Sequence, residues 1–217
     1  MGSSERDWIR LLPRLGLLFG GLFIFALAMV FSLQCNLGAA SWTVLHDGIS
    51  RKTPLSIGVA TQMVGFLMLG VSWLAGIRPG FGTLCNMLLI GLFLDLILWS
   101  DVIPLAESYP LRVLMLLTGI VLLGLASALY IKAGFGAGPR DSFMLAVHRR
   151  TRLRLGKVRW MMEVSAVIVG ALLGGAFGIG TIVFAMLIGV SVDFFFNLLN
   201  VRVTPAVERK VVSVPAK

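Results

Sequence analysis

Charge is scarce in this chain. Of its 217 residues, 19 are Lys or Arg and 10 are Asp or Glu, 13% in all, where a soluble domain carries about one-quarter. So few ionic side chains cannot coat a water-facing globule, and an ordinary soluble fold is excluded. Cysteine is scarce too: Cys35 and Cys85 have no partner motif, which removes the grounds for a disulfide framework or a zinc ribbon. Both sit in or beside apolar stretches, where free cysteine acts as a small hydrophobe. His46 and His148 are the only histidines, so neither a metal centre nor a cofactor is expected. Catalytic signatures are missing: there is no nucleophile elbow, no phosphate-binding P-loop and no metalloprotease helix. The sequence gives no support to an enzyme.

Long hydrophobic runs fill the space that charge leaves. The chain is 58% hydrophobic with a mean hydropathy of +0.94. Six stretches, near 15–33, 57–76, 82–99, 112–131, 158–176 and 180–199, are long enough to cross about 30 Å of hydrocarbon. This predicts an all-α, polytopic membrane protein with the lipid bilayer as its first partner. The first stretch is too long, and too embedded in a repeat, for a cleaved signal peptide. No soluble domain is expected, only a 1–14 segment, a basic loop near 139–157 and a 200–217 tail.

The net charge of +9 does not indicate nucleic acid, because of where it lies. Arg6, Arg10 and Arg14 precede the first run. Arg140, Arg149, Arg150, Arg152, Arg154, Lys157 and Arg159 surround the fourth connection, and Arg202, Arg209 and Lys210 follow the last run. Asp101 and Glu107 occupy the third connection, with no base before Arg112. The positive-inside rule then puts both termini and the 139–157 loop in the cytoplasm. Basic clusters there are also topology signals and attractors of anionic lipid.

The chain is written twice. Shifted by 98 places, residues 14–99 lie over 112–197 without a gap, with about 22 identities over roughly 86 positions. Gly38-Ala39 matches Gly136-Ala137, Gly58 matches Gly156, Gly91 matches Gly189, and Asp95 matches Asp193. Residues 15–100 and 112–199 are therefore expected to be two three-span repeats. Three is odd, so the second copy enters the membrane from the opposite side, the inverted pattern of many secondary transporters. Symmetry also predicts that the 80–83 and 178–181 segments meet near the bundle axis.

The long connection of each copy is more than a loop. Trp42, Leu45 and Ile49 recur at helical spacing, as do Phe143, Met144 and Val147. Short amphipathic helices are expected near 42–50 and 141–150, the second starting at Pro139 with Asp141 or Ser142 as its cap. Trp8, Trp73, Trp99 and Trp160 fall near span ends, as an aromatic belt requires.

Three constellations are candidates for function. Gly80-Phe-Gly82-Thr83 and Gly178-Ile-Gly180-Thr181 open two spans, and a helix N-terminus suits an anion or polar group. The plainer reading is a tight hairpin with Thr83 and Thr181 as caps. Asp95 and Asp193 are ionisable groups within spans, costly and thus candidates for gating or coupling. Each lies about four residues past its helix centre, roughly 6 Å, so they are no midplane pair. They also suit capping of a neighbouring helix. Trp42, Thr43 and His46 face Arg140, Asp141 and Met144 in the alignment, and Arg140 beside Asp141 suits a charged substrate or an internal ion pair. Glu163, four residues after Arg159, is expected to pair with it.

The run Leu37-Gly-Ala-Ala-Ser-Trp-Thr-Val-Leu-His-Asp-Gly-Ile-Ser50, with Leu55-Ser-Ile-Gly58 and Gly80-Phe-Gly-Thr83, resembles the YczE/YyaS/YitT-type bacterial membrane proteins. The resemblance covers roughly 15–199. Where that family often has Gly-Pro-Trp-Asp, this chain has Ala40-Ser-Trp-Thr43 in copy one and Gly138-Pro-Arg-Asp141 in copy two. It implies an inner-membrane protein of the transporter type, without naming a solute. The expectation is a secondary transporter of a small, anionic or zwitterionic solute. The alternatives are a membrane scaffold, a substrate-capturing subunit of a larger importer, or a channel. A second copy of the chain or another membrane protein is the expected protein partner.

Overall fold

The computed structural model describes residues 4–136 and 138–201, with the side chains of 4–10 left aside. Eight α-helices and no strand occur among the described residues. They are α1 (Ser4–Gln34), α2 (Ser41–Lys52), α3 (Ile57–Leu74), α4 (Phe81–Trp99), α5 (Tyr109–Lys132), α6 (Pro139–Thr151), α7 (Leu155–Leu172) and α8 (Ile179–Leu198). A helix covers each stretch expected as a span and each expected short helix. Helix α1 begins well before residue 15 and passes through Pro13 without ending.

Five of the helices, α1, α3, α4, α5 and α8, are long and apolar enough to cross a membrane. Helix α7, the expected span near 158–176, is not among them. It has 18 residues, and Lys157, Arg159 and Glu163 fall inside it. Many large apolar side chains face outward, among them Phe66, Leu67, Leu92, Leu114, Met186 and Val190, as a lipid-facing surface requires. Trp73, Trp99 and Trp160 all stand exposed near helix ends, where indole rings settle at membrane interfaces; Trp8 lies outside the described side chains.

Helices α1 and α5, the first of each copy, cross at their glycines. A Cβ on Gly21 would strike Tyr130, and one on Gly119 would crowd Ala28 and Ser32. Without hydrophobic drive in lipid, such close backbone approach is what holds spans together. Leu18, Leu22, Ala26, Val30, Ile90 and Leu94 form the main apolar core beside this crossing.

The copies also exchange backbone hydrogen bonds. Gly82 N–H donates to the Phe135 carbonyl at 2.9 Å, and Gly180 N–H donates to the Leu37 carbonyl at 2.7 Å. These two bonds join positions that correspond under the 98-residue shift. Gly38 and Gly136 make them possible. Their φ angles are +118° and +119°, a region L side chains avoid, and the turn they create lays each break against the other copy's helix start. The 80–83 and 178–181 segments thus pack not on each other but on these breaks. The expected meeting of the two is replaced by a crosswise exchange.

Helix α6 starts at Pro139 as expected, but its cap is not Asp141 or Ser142. Gly138 is the N-cap, and Pro139 takes the first helical position. Proline is favoured there because its missing N–H is not needed, and this fixes the boundary ahead of Asp141 and Ser142.

Candidate functional site

The first turns of α2 and α6 carry the site. Trp42 and Arg140 are counterparts under the repeat, and the Arg140 Cζ lies 5.4 Å from the Trp42 ring centroid. That is cation–π distance. Arg140 is also ion-paired with Glu163 of α7. The expected local pair of Glu163 with Arg159 gives way to this longer-range one. Arg159 is exposed. Burial makes the need for a counter-charge greater at Arg140.

Arg140 combines two properties. Burial, partly offset by the nearby Asp141 charge, brings its guanidinium down to about 10. Yet 37% of its side chain remains accessible. Both hold if the group lines a crevice inside the bundle. Asp141 accepts a hydrogen bond from Tyr130 Oη at 3.3 Å, which ties α6 to α5.

His46 is buried one turn on from Trp42. Its Nδ1 lies 3.0 Å from Thr61 Oγ1. The Thr61 hydroxyl already donates to the Ile57 carbonyl at 2.9 Å. The imidazole Nδ1–H is therefore assigned as the donor to the threonine oxygen, which leaves Nε2 as an acceptor. Burial, and then the Arg140 charge, hold its pKa at about 3, so it is neutral at physiological pH. Trp42 Nε1 is buried with no acceptor. An unsatisfied buried donor costs about 1–3 kcal/mol and calls for a reason.

Asp47, next to His46, anchors the far end of α7. Its Oδ2 accepts from Ala176 N–H at 2.7 Å and from Arg51 Nε at 2.8 Å. Gly48 and Gly170 let α2 and α7 touch backbone to backbone there, since a Cβ on Gly48 would lie 2.6 Å from the Gly170 carbonyl.

The other candidates lie apart from this cluster. Thr83 Oγ1 accepts from Gly80 N–H at 3.2 Å, and Thr181 Oγ1 from Gly178 N–H at 3.3 Å. Both threonines are buried at the crosswise joints and close the starts of α4 and α8, with Gly82 and Gly180 beside them. Asp95 accepts from Ser56 Oγ and, at 2.8 Å, from Gly58 N–H, so it caps α3. Asp193 is exposed. Trp42, His46, Arg140 and Asp141 are thus brought together, while the glycine–threonine pairs and the two aspartates are not part of that group.

Sequence reasoning missed Tyr130, Thr61 and Asp47 as members of the site, and gave Glu163 to Arg159 rather than Arg140. Glu163 carried a signal, as the one carboxylate of α7. Tyr130 carried another, as one of two tyrosines in the chain. No group of three or more His, Cys, Asp or Glu suited to a metal occurs among the described residues.

An all-helical chain with five bilayer-length apolar helices, and with ionic groups gathered between its helices, is a polytopic membrane protein. It belongs to DUF6198, a family of unknown function, whose pattern matches residues 12–197. It is similar to an uncharacterized protein of Haemophilus influenzae, 33% identical over 88% of this chain and 87% of the relative. It is similar also to the uncharacterized membrane protein YczE of Bacillus subtilis, 31% identical over 91% and 92%. A third relative, YyaS of the same organism, is 24% identical over 83% and 90%. The resemblance read from the glycine-rich motifs is thereby established. No solved structure matches the chain.

Proposed function

We propose that the protein is a secondary transporter of a small anionic or zwitterionic solute, built from two inverted three-span repeats. Helix α7 is the sixth span, with Glu163 turned to Arg140 and the exposed Lys157 and Arg159 at its interfacial start. Residues 15–100 and 112–199 are the repeats, and the chain sits in the bacterial inner membrane with both termini in the cytoplasm. The observation that supports this best is the reciprocal exchange of Gly82 N–H to Phe135 and Gly180 N–H to Leu37. Such an exchange is what a two-fold relation between the copies would produce, and alternating access about a fixed axial site is what that relation serves in other transporters. The solute site is the crevice of Trp42, His46, Arg140 and Asp141. It offers a cation, an unused indole donor and a neutral imidazole acceptor, a set suited to a carboxylate or phosphate carried beside a donor group.

Two experiments test the reading. A thermal-shift screen of the detergent-purified protein against small metabolites should find a solute that raises its apparent stability, with the effect lost in Arg140→Gln. Uptake of that solute into proteoliposomes should follow. A solute that binds but never crosses leaves a scaffold or capture subunit instead. For topology, cysteines at Ser50 and Thr151 should label unequally with an impermeant reagent in intact cells, Ser50 alone reacting. Equal labelling sinks the inverted arrangement.

A further inference from the structure

The two copies are alike in sequence but not in closure. In copy one, α3 and α4 are locked together. A Cβ on Gly58 would land on the Gly91 carbonyl and the Asp95 carboxylate, and one on Gly91 would land on the Gly58 carbonyl. Asp95 reaches from α4 to the start of α3, accepting from Ser56 Oγ and Gly58 N–H. Helix α4 buries Met87, Ile90, Gly91 and Leu94 along its length.

The matching positions of copy two stand apart. A Cβ on Gly156 or on Gly189 would meet nothing within 4 Å. Helix α8 buries only Gly180, Thr181 and Phe184, all near its start. Asp193, the counterpart of Asp95, is exposed and makes no hydrogen bond or ion pair among the described residues. The counterpart of Ser56 is Arg154, which is the N-cap residue of α7, and α7 begins without a side-chain cap. The identities Gly58/Gly156, Gly91/Gly189 and Asp95/Asp193 equip α7 and α8 to close as α3 and α4 have closed.

We infer that α7 and α8 form a gate at the basic end of the protein, seen here open, and that Asp193 latches it shut by accepting from the Gly156 N–H and the Arg154 side chain. The copies differ at the latch for a reason. Ser56 gives Asp95 a neutral hydroxyl, whereas Arg154 gives Asp193 a charged donor, which makes a stronger bond. The deduction rests on the transport reading only for the purpose of the gate, since the movement itself is independent of any solute. If the basic end is cytoplasmic, the state described is open to the cytoplasm and shut on the far side by Asp95.

Spin labels at Lys157→Cys and Phe194→Cys, in a Cys85→Ala background with the buried Cys35 left in place, read the width of the α7–α8 cleft. Two distance populations are expected in lipid. Asp193→Asn and Arg154→Gln should each deplete the short one by about threefold or more, the range of an accessible ion pair. The exchange of charges in Asp193→Arg with Arg154→Asp should restore it. Gly189→Leu, a wedge in the cleft, should abolish the short population without lowering the melting temperature. A single long distance in the unmodified pair, or a short population indifferent to Asp193→Asn, overturns the latch. Uptake together with a single distance would leave the transport reading standing and the gate wrong. Two distances without any solute would do the reverse.

Discussion

Arg140 and Trp42 hold the same place in the two halves of the chain, and the guanidinium carbon of one lies 5.4 Å from the ring centroid of the other. Any two-fold axis relating the copies must pass between them. A symmetric pair at that contact is unfavourable: two arginines would repel, and two tryptophans would leave Glu163 of α7 without its cation. One of each satisfies both neighbours.

The Arg140–Glu163 pair is partly accessible, with 37% and 27% of the two side chains exposed. Removal of the cation by Arg140→Gln should cost about 1–3 kcal/mol, between the value of a surface pair and that of a buried one. Arg140→Gln combined with Glu163→Gln should recover most of the loss, because no unpaired charge remains. Melting temperatures in one detergent decide it. An Arg140→Gln variant as stable as the parent would place the pair outside the bundle.

Asp95 and Asp193 should part company under the same substitution. Asp95→Ala removes an α3 cap seen bonded to Ser56 and Gly58, and cap loss costs typically about 1 kcal/mol. Asp193→Ala should stay within about 0.5 kcal/mol, as an exposed change does. Equal destabilisation by the two, read from thermal melts, would mean that copy two is closed in solution.

The helices were legible because their ends carry local signals: apolar runs stop at Gly76, Trp99 and Gly174, and glycine or proline opens α4, α6 and α8. What lay beyond local reach was partnership. Glu163 has a cation four residues back in sequence and a different one on the neighbouring helix α6. Only burial decides between Arg159 and Arg140, and burial is a tertiary property. Asp141 read as a helix cap, but its carboxylate turns to Tyr130. The unequal closure was beyond any sequence reading, since Gly58 and Gly156, Gly91 and Gly189, Asp95 and Asp193 are identical pairs. Of the site, Trp42, His46, Arg140 and Asp141 were legible as chemistry on aligned breaks, and their convergence was not.

Glycine pairs provide a test of packing alone. Gly91→Ala should drive a methyl into the Gly58 backbone and the Gln62 side chain, whose Cγ lies 2.7 Å from the new atom. Overpacking of that kind costs about 1–3 kcal/mol. Gly189→Ala meets open space and should be neutral or gain up to about 1 kcal/mol from helix propensity. Thermal melts of the two variants should therefore differ in sign or by at least 1 kcal/mol, about the sum of small terms expected from these effects. Matching losses would show that Gly189 is packed.

His46 gives the chain a specific acid sensitivity. Helix α2 is 12 residues long, too short to span, and its imidazole is held at about 3 against an ordinary 6.5. Burial in the fold is the first cause, and the Arg140 charge is the second. On unfolding, the ring regains its ordinary pKa, so below pH 6.5 the unfolded chain binds a proton that the folded chain refuses. Stability contributed by His46 is then complete above about pH 7 and declines as the pH falls toward 3. At pH 5 the loss is about 2 kcal/mol at most, since 1.5 pH units lie between that pH and the unfolded pKa at 1.36 kcal/mol each. His46→Gln keeps a donor for Thr61 and cannot take the proton. Melting temperatures measured from pH 7.5 to 5 should fall more steeply for the parent than for His46→Gln, and the difference isolates this ring from the carboxylates that titrate alongside it. Parallel curves would mean that the ring is hydrated and protonates freely. In that case it belongs to an open water path rather than to a dry wall of the crevice.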